Sequence, residues 1–252
     1  MERIAIKLYS EDNPIINDAI DRIVVQVFKR KNANDGKMII FTGCSPSSGT
    51  TALSINLAIA LSLSGRKTLL VDCDLRKSNY YKRLGSIPRF GLSDFLAGKV
   101  SKDDIINNTN YKLLDYIACG ATQQSPVRLL CSADMVELAG FLKKEYEYII
   151  TDTPSITVSP DADILFPIAD GIALVAGLGR TTKKQVWDAR RAIQGYTDKY
   201  YGLIINKVGL KQYGRYVINY DYFSTGDMIR RYKHALKLIK RRTKGKRSRA
   251  DA

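Results

Sequence analysis

Residues 38–61 read MIIFTGCSPSSGTTALSINLAIAL. An apolar, β-forming run from Met38 to Thr42 passes through a loop of small residues into a helix-like stretch from Thr50 to Ser64. Gly43, Ser45, Ser47, Ser48 and Gly49 leave the backbone free to curl its N–H groups toward an anion, and the N-terminus of the following helix adds partial positive charge. Thr51 stands where a hydroxyl meets Mg²⁺ in such a cradle. Taken alone, the same segment also reads as an ordinary strand-to-helix turn. What lies downstream decides between the two.

Short apolar runs of the same kind recur at Lys67 to Val71, Lys112 to Ala118, Tyr148 to Thr151, Gly171 to Ala176 and Tyr201 to Asn206. Between them, Ala133 to Glu145 and Thr181 to Tyr196 carry helical spacing and are long enough to cross a sheet and return. This alternation predicts an α/β fold, a mostly parallel sheet with helices on both faces in three layers. Pro14 to Arg30 reads as an amphipathic helix whose apolar face (Ile16, Ile20, Ile23, Val27) docks on the chain's own core or on a neighbouring subunit. The expected organisation is a single domain over 1–228, followed by a basic helix or tail over 229–252.

Two acidic motifs follow strands. LLVDCDLRK (69–77) ends an apolar run in Asp72 and Asp74, with Arg76 beyond; YIITDTPS (148–155) places Asp152 after three β-formers. Carboxylates at the C-terminal ends of parallel strands lie on the edge where α/β sheets bind ligands. There one can orient magnesium or its water and another can accept a proton from a hydroxyl. Each alone is compatible with a solvated strand end; together with the small-residue loop they indicate a nucleotide site.

The 252 residues carry a net charge of +15, and most of it is local. Ile229 to Ala252 holds eleven Lys and Arg against one Asp, a net +10 that leaves +5 elsewhere. Such a run is either a basic end without a partner or a solvated extension that meets an anionic surface; with nothing else suited to base readout, nucleic acid ranks below a membrane surface or an acidic protein. Cys44, Cys73, Cys119 and Cys131 form no CxxC pair and no Cys/His cluster, so reduced thiols are expected rather than zinc or disulfides. No run approaches the roughly 20 apolar residues of a membrane span, and the first residues lack the apolar stretch of a secretory signal. A cytoplasmic location is expected.

With these residues in view, the chain resembles the bacterial tyrosine kinases of capsular and exopolysaccharide biosynthesis. The loop, the hhhDxDxR motif at Leu69 to Arg76 and the hhhDTP motif at Ile149 to Pro154 are similar to that family's Walker A, A′ and B motifs. The likeness continues through DADILFPIADGIALVAGLGRTTKK (161–184) and YGLIINKVGL (201–210). The resemblance implies a P-loop fold that binds ATP and Mg²⁺. Asp72 would activate a tyrosine hydroxyl, Thr51, Asp74 and Asp152 would hold the metal, Arg76 would support the phosphate region, and Asn206 would contact the base. It also implies trans-phosphorylation of a tyrosine cluster, here YGRYVINYDYFSTGDMIRRY (213–232), with Tyr213, Tyr216, Tyr220, Tyr222 and Tyr232 as acceptors. Tyr196, Tyr200 and Tyr201, at the start of the last strand, read instead as structural. The expected partner is a membrane-anchored activator or co-polymerase of polysaccharide export, which holds the kinase at the inner face of the membrane. Self-association and a tail-mediated contact with anionic lipid are further expectations.

Two departures stand out. The position directly after the last loop glycine, where P-loop kinases carry a lysine that spans the β- and γ-phosphates, is Thr50 in SSGTT; Lys37 precedes the strand at its far end. On sequence grounds weak nucleotide binding through backbone N–H groups survives this loss and efficient phosphoryl transfer does not, unless a neighbouring subunit or partner supplies a cation. In PIINDAIDRIVVQV (14–27), Asn17, Ile20 and Ile23 replace the family's assembly Glu and Arg residues. Three readings follow: an ATP-dependent tyrosine autokinase, a catalytically impaired scaffold of the same export system phosphorylated by a paralogue, and, more weakly, a partition-type ATPase.

Overall fold

The computed structural model describes residues 3–6, 14–29, 37–76, 88–121, 125–209 and 212; the tyrosine-rich segment 213–232 and the basic tail lie outside them. In chain order the elements are α1 (Pro14–Lys29), β1 (Lys37–Gly43), α2 (Thr50–Leu63), β2 (Thr68–Asp72), α3 (Leu92–Leu96), β3 (Asn107–Asn108), β4 (Leu114–Ile117), α4 (Pro126–Leu130), α5 (Ala133–Glu145), β5 (Tyr148–Asp152), α6 (Asp161–Leu165), β6 (Gly171–Gly177), α7 (Lys183–Ala192) and β7 (Tyr200–Asn206).

Among the described residues seven strands join one sheet in the order β3-β4-β2-β5-β1-β6-β7, parallel except for the β3–β4 pair. β1, β2, β5 and β6 are buried along their whole length, which is why each reads as a continuous apolar run rather than an alternating one. Alternate residues still go to opposite faces. Met38 and Ile40 join one core with Leu69, Val71, Leu138, Leu142 and Leu165. Ile39 and Phe41 join a second with Leu57, Leu70, Tyr116 and Ile150. Both faces are covered, so the three-layer expectation holds.

α2 lies between the sheet and α1, and its buried residues, among them Leu53, Ile55, Leu57, Ile59 and Leu61, point all round the helix. A helix enclosed on both sides needs no polar stripe. α1 covers α2 with Ile20, Val24 and Val27 buried and Ile16, Ile23 and Phe28 partly so, docking its apolar face on the chain's own core. α5 begins at Ser132, whose hydroxyl accepts from the Met135 amide, and α7 at Thr182, in a reciprocal cap with Gln185.

The structure departs from the sequence expectation at α7. The expected helix from Thr181 to Tyr196 is shorter at both ends. Thr181 turns its side chain toward the loop after β1 instead of entering the helix, and beyond Ala192 the chain tightens into a 3₁₀ segment, Gln194–Lys199, broken at Tyr196. The three tyrosines read as structural are so. Tyr196 meets Phe166 edge-on at 5.5 Å, Tyr200 lies under the Arg190 guanidinium at 3.9 Å, and the Tyr201 ring occupies space that a side chain at Gly171 would need, 2.6 Å from its Cβ.

Candidate nucleotide site

β1 runs next to β5 on one side and β6 on the other, and the connections leaving this pair run in opposite directions. A crevice therefore opens at the C-terminal ends of the central strands, the usual ligand position in open α/β sheets. The loop after β1, the Asp72–Asp74 segment after β2 and the Asp152–Thr153 segment after β5 all reach this edge.

The loop from Cys44 to Gly49 is closed by its own serines. The Ser48 hydroxyl donates to the Ser45 carbonyl at 2.6 Å and accepts from the Ser45 amide at 3.3 Å. Ser45 Oγ shares a 2.7 Å hydrogen bond with Thr181 Oγ1, which also accepts from the Gly177 amide. Gly49 has φ of 88°, where a Cβ is costly, and an added Cβ would collide with the Asn206 amide. Asn206 braces the loop by donating from Nδ2 to the carbonyls of Ser48 and Gly49 at 3.0 and 3.3 Å, while its Oδ1 accepts from the Lys207 amide at 2.8 Å. Its side chain is thus committed to the loop in this structure. Lys207 Nζ donates to the carbonyl of Ser47. The sequence pointed to the loop residues, and to Asn206 for contact with the base rather than for this bracing role; Thr181 and Lys207, which approach from other elements, carry no local pattern.

The acidic side is built by strand register. Asp72 and Asp152 are direct neighbours across the β2–β5 pair, both almost fully buried, and Asp74 is buried beside them. The Asp74 amide donates to Asp72 Oδ1 at 3.0 Å, the Cys73 amide to the Asp152 carbonyl at 2.9 Å, and Ser54 Oγ approaches Asp152 Oδ1 at 3.5 Å. Ser155 Oγ and the Ile156 amide both donate to the Gly43 carbonyl, which fastens the β5 segment to the start of the loop. Thr51, in the first turn of α2, stays partly exposed.

Arg76 donates from Nε and Nη2 to the two oxygens of Asp161 at 2.8 and 2.7 Å, and from Nε to Ser159 Oγ at 2.9 Å. Asp161 is fully buried, and hydrogen bonding to it raises the guanidinium's already high pKa. In this arrangement Arg76 ties the β2 motif to the segment after β5. Asp161, the acid at the start of α6, is a third residue whose role no local pattern announces.

Three thiols are buried at this edge, Cys44 at the start of the loop and Cys73 and Cys119 near the acids. Burial pushes Cys44 up to about 11. Burial, then the nearby carboxylates of Asp72 and Asp74, push Cys119 up to about 12. Cys73 is pushed well above its ordinary range, first by burial and then by Asp72 and Asp152. The thiols are neutral at physiological pH and make no metal site. Among the described residues, no three His, Cys, Asp or Glu side chains form a metal-binding group. That suits magnesium, which is bound through one or two carboxylates, water and phosphate oxygens rather than by an all-protein cage. Buried acids at Asp72, Asp74 and Asp152, on the sheet edge from which the partly exposed Thr51 also starts its helix, supply oxygen donors of the kind such an ion takes.

Residues 39–229 match the CobQ/CobB/MinD/ParA nucleotide binding domain (CbiA). The chain is 34% identical over 191 residues to the tyrosine-protein kinase YwqD of Bacillus subtilis, covering 76% of this chain and 79% of the relative. It is 33% identical over 190 residues to the tyrosine-protein kinase CpsD of Streptococcus agalactiae, covering 73% and 82%. The solved kinase domain of the Escherichia coli tyrosine kinase ETK matches with a TM-score of 0.72 at 27% identity over 80% of each chain. The septum site-determining protein MinD of Pyrococcus horikoshii, complexed with Mg-ADP, shares the fold, with a TM-score of 0.56 at 23% identity over 69% of this chain and 71% of that one.

Proposed function

Because the chain belongs to the bacterial tyrosine-protein kinase family, built on the CobQ/CobB/MinD/ParA nucleotide binding domain, we propose that it is a Mg·ATP-dependent protein-tyrosine autokinase controlling capsule or exopolysaccharide synthesis and export. The observation that carries this reading is the pairing of Asp72 with Asp152 on adjacent strand ends, both buried, on the edge that the loop after β1 also reaches.

Asp72 accepts the proton of the attacking tyrosine hydroxyl as its oxygen bonds to the γ-phosphorus and ADP departs. The Asp74 amide on Asp72 Oδ1 holds that carboxylate in orientation. Thr51, Asp74 and Asp152 would hold magnesium, which when bound neutralises charge on the transferring phosphoryl group. Loop amides other than those of Cys44, Ser45 and Ser48, which are bonded within the protein, would donate to phosphate oxygens, and Asn206 keeps the loop closed. The acceptors are Tyr213, Tyr216, Tyr220, Tyr222 and Tyr232. Among the described residues no helix is long and apolar enough to cross a membrane; attachment to the inner face of the membrane comes from a membrane-anchored activator, with the basic tail adding about 1 kcal/mol per well-placed Lys or Arg on anionic lipid.

Thr50 favours a second reading, a scaffold whose own chemistry is switched off and whose tyrosines a paralogue phosphorylates. One experiment separates the two. Purified protein is incubated with Mg·ATP and its tyrosines mapped by mass spectrometry, with Asp72→Asn and Thr50→Lys alongside; sedimentation of the same samples with anionic vesicles reads the tail contact. Phosphate on the unaltered chain, abolished by Asp72→Asn, is the expected result. Phosphate only with Thr50→Lys establishes the scaffold.

A further inference from the structure

The site as built holds three buried carboxylates, and a nucleotide brings further negative charge to it. The loop from Gly43 to Thr51 contains no Lys, Arg or His. Thr50 does not substitute for a cation; its Oγ1 turns in toward Gly43, 3.1 Å from where a Cβ on that glycine would stand.

We propose that Lys207, one residue past the end of β7, takes the place of the missing loop lysine and binds the phosphates of the nucleotide, an inference that rests on the nucleotide-site reading above. Its ammonium already lies on the loop, donating to the Ser47 carbonyl. The stem passes along two glycines: Lys207 Cε lies 3.4 Å from the position of a Cβ on Gly49, and Cδ lies 3.6 Å from that on Gly177, both contact distances. The backbone is set for this path. Lys207 has φ of 59°, a conformation uncommon in non-glycine residues, and the Asn206 side chain holds it through the Lys207 amide. The same Asn206 grips the loop at Ser48 and Gly49. Lysine and loop are thereby fixed to one support.

An ammonium has three donors, and Ser47 takes one. The other two serve phosphate oxygens without a change of loop shape. A lysine in the loop approaches along the axis of the following helix; Lys207 approaches from the β7 side and is carried by a different part of the chain. The cation therefore comes from within the molecule, and neither a neighbouring subunit nor a partner is needed to provide it.

The test is equilibrium binding of ATP, ADP and adenosine in the presence of magnesium, by calorimetry, to the full chain and to Lys207→Met and Lys207→Arg. The methionine variant keeps the stem along the glycines while removing the charge, and urea midpoints confirm that each variant is folded. Lys207→Met is expected to weaken ATP by roughly 10- to 100-fold, the range of a lost charge-assisted hydrogen bond. ADP should lose less, adenosine should be unaffected, and Lys207→Arg should retain most of the affinity. Adding Thr50→Lys to Lys207→Met should restore ATP binding. An ATP affinity within twofold of the unaltered chain overturns the proposal, and so does an equal loss for ATP and adenosine, which would place Lys207 on the base or in loop integrity. If the unaltered chain binds neither ATP nor ADP, the nucleotide reading itself has failed, an outcome distinct from both.

Discussion

The two sides of the site are made in different ways. On the acidic side, Asp72 and Asp152 are placed by the register of two buried strands, and the pair exists wherever the sheet exists. On the phosphate side, the loop takes its shape from side chains far away in sequence: Thr181 from before α7, and Asn206 and Lys207 from the end of β7. One side is a by-product of folding. The other is a tertiary assembly whose parts can be removed one at a time, and the contrast teaches that perturbing the first should damage the fold while perturbing the second should damage ligand binding.

The largest effect is expected at Arg76. Arg76→Ala leaves the fully buried Asp161 without its two-pronged partner. Removing one member of a fully buried pair costs about 3–5 kcal/mol; because the Arg76 side chain is 42% exposed, water recovers part of this, and a loss of about 2 kcal/mol is expected in urea unfolding. A midpoint unchanged from that of the unaltered chain would break the comparison on the acidic side.

Next comes Gly49→Ala. The φ of 88° and the overlap with the Asn206 amide together are expected to cost about 1–2 kcal/mol. The signature is a nucleotide affinity that falls by more than the stability does, with Asn206→Ala in the same chain relieving the overlap but not the backbone strain. Equal losses in binding and stability would show the loop to be as much a part of the core as the acids are.

The smallest effect concerns the three buried thiols. Their folded pKa values are raised, so the folded state holds protons that the unfolded state releases. The associated stability is complete below the ordinary thiol value of 9.0 and drains away as pH climbs toward about 12, the folded value for Cys119. At pH 8 a thiol reagent should therefore label the exposed Cys131 quickly, and Cys44, Cys73 and Cys119 only after denaturant is added. Rapid labelling of Cys73 or Cys119 in the folded protein would reveal that the acidic side opens locally.

The same division explains what the sequence made legible. Strands buried on both faces declare themselves as apolar runs, and six of the seven were readable to within about two residues of their ends; β3, only Asn107 and Asn108, is too short and too polar to do so. The acids were readable because they end those runs. α1 was readable because it is amphipathic, and its docking surface followed from Ile20 and Val27. Asp161 and Lys207 were not, since each acts through a single long-range contact, 85 residues from Arg76 in one case and 160 from Ser47 in the other, and no periodicity marks a lone side chain. The extent of α7 was misjudged for a related reason: Thr181 looked like a helix start until the loop claimed its hydroxyl.

The anchorage of Lys207 on the loop also ties the centre of the sheet to its edge. Lys207 sits one residue past β7, the strand that closes the sheet at its edge. Fraying of that edge would withdraw Asn206 and Lys207 from the loop in one movement, so the outermost strand acts as a latch on the centre of the sheet.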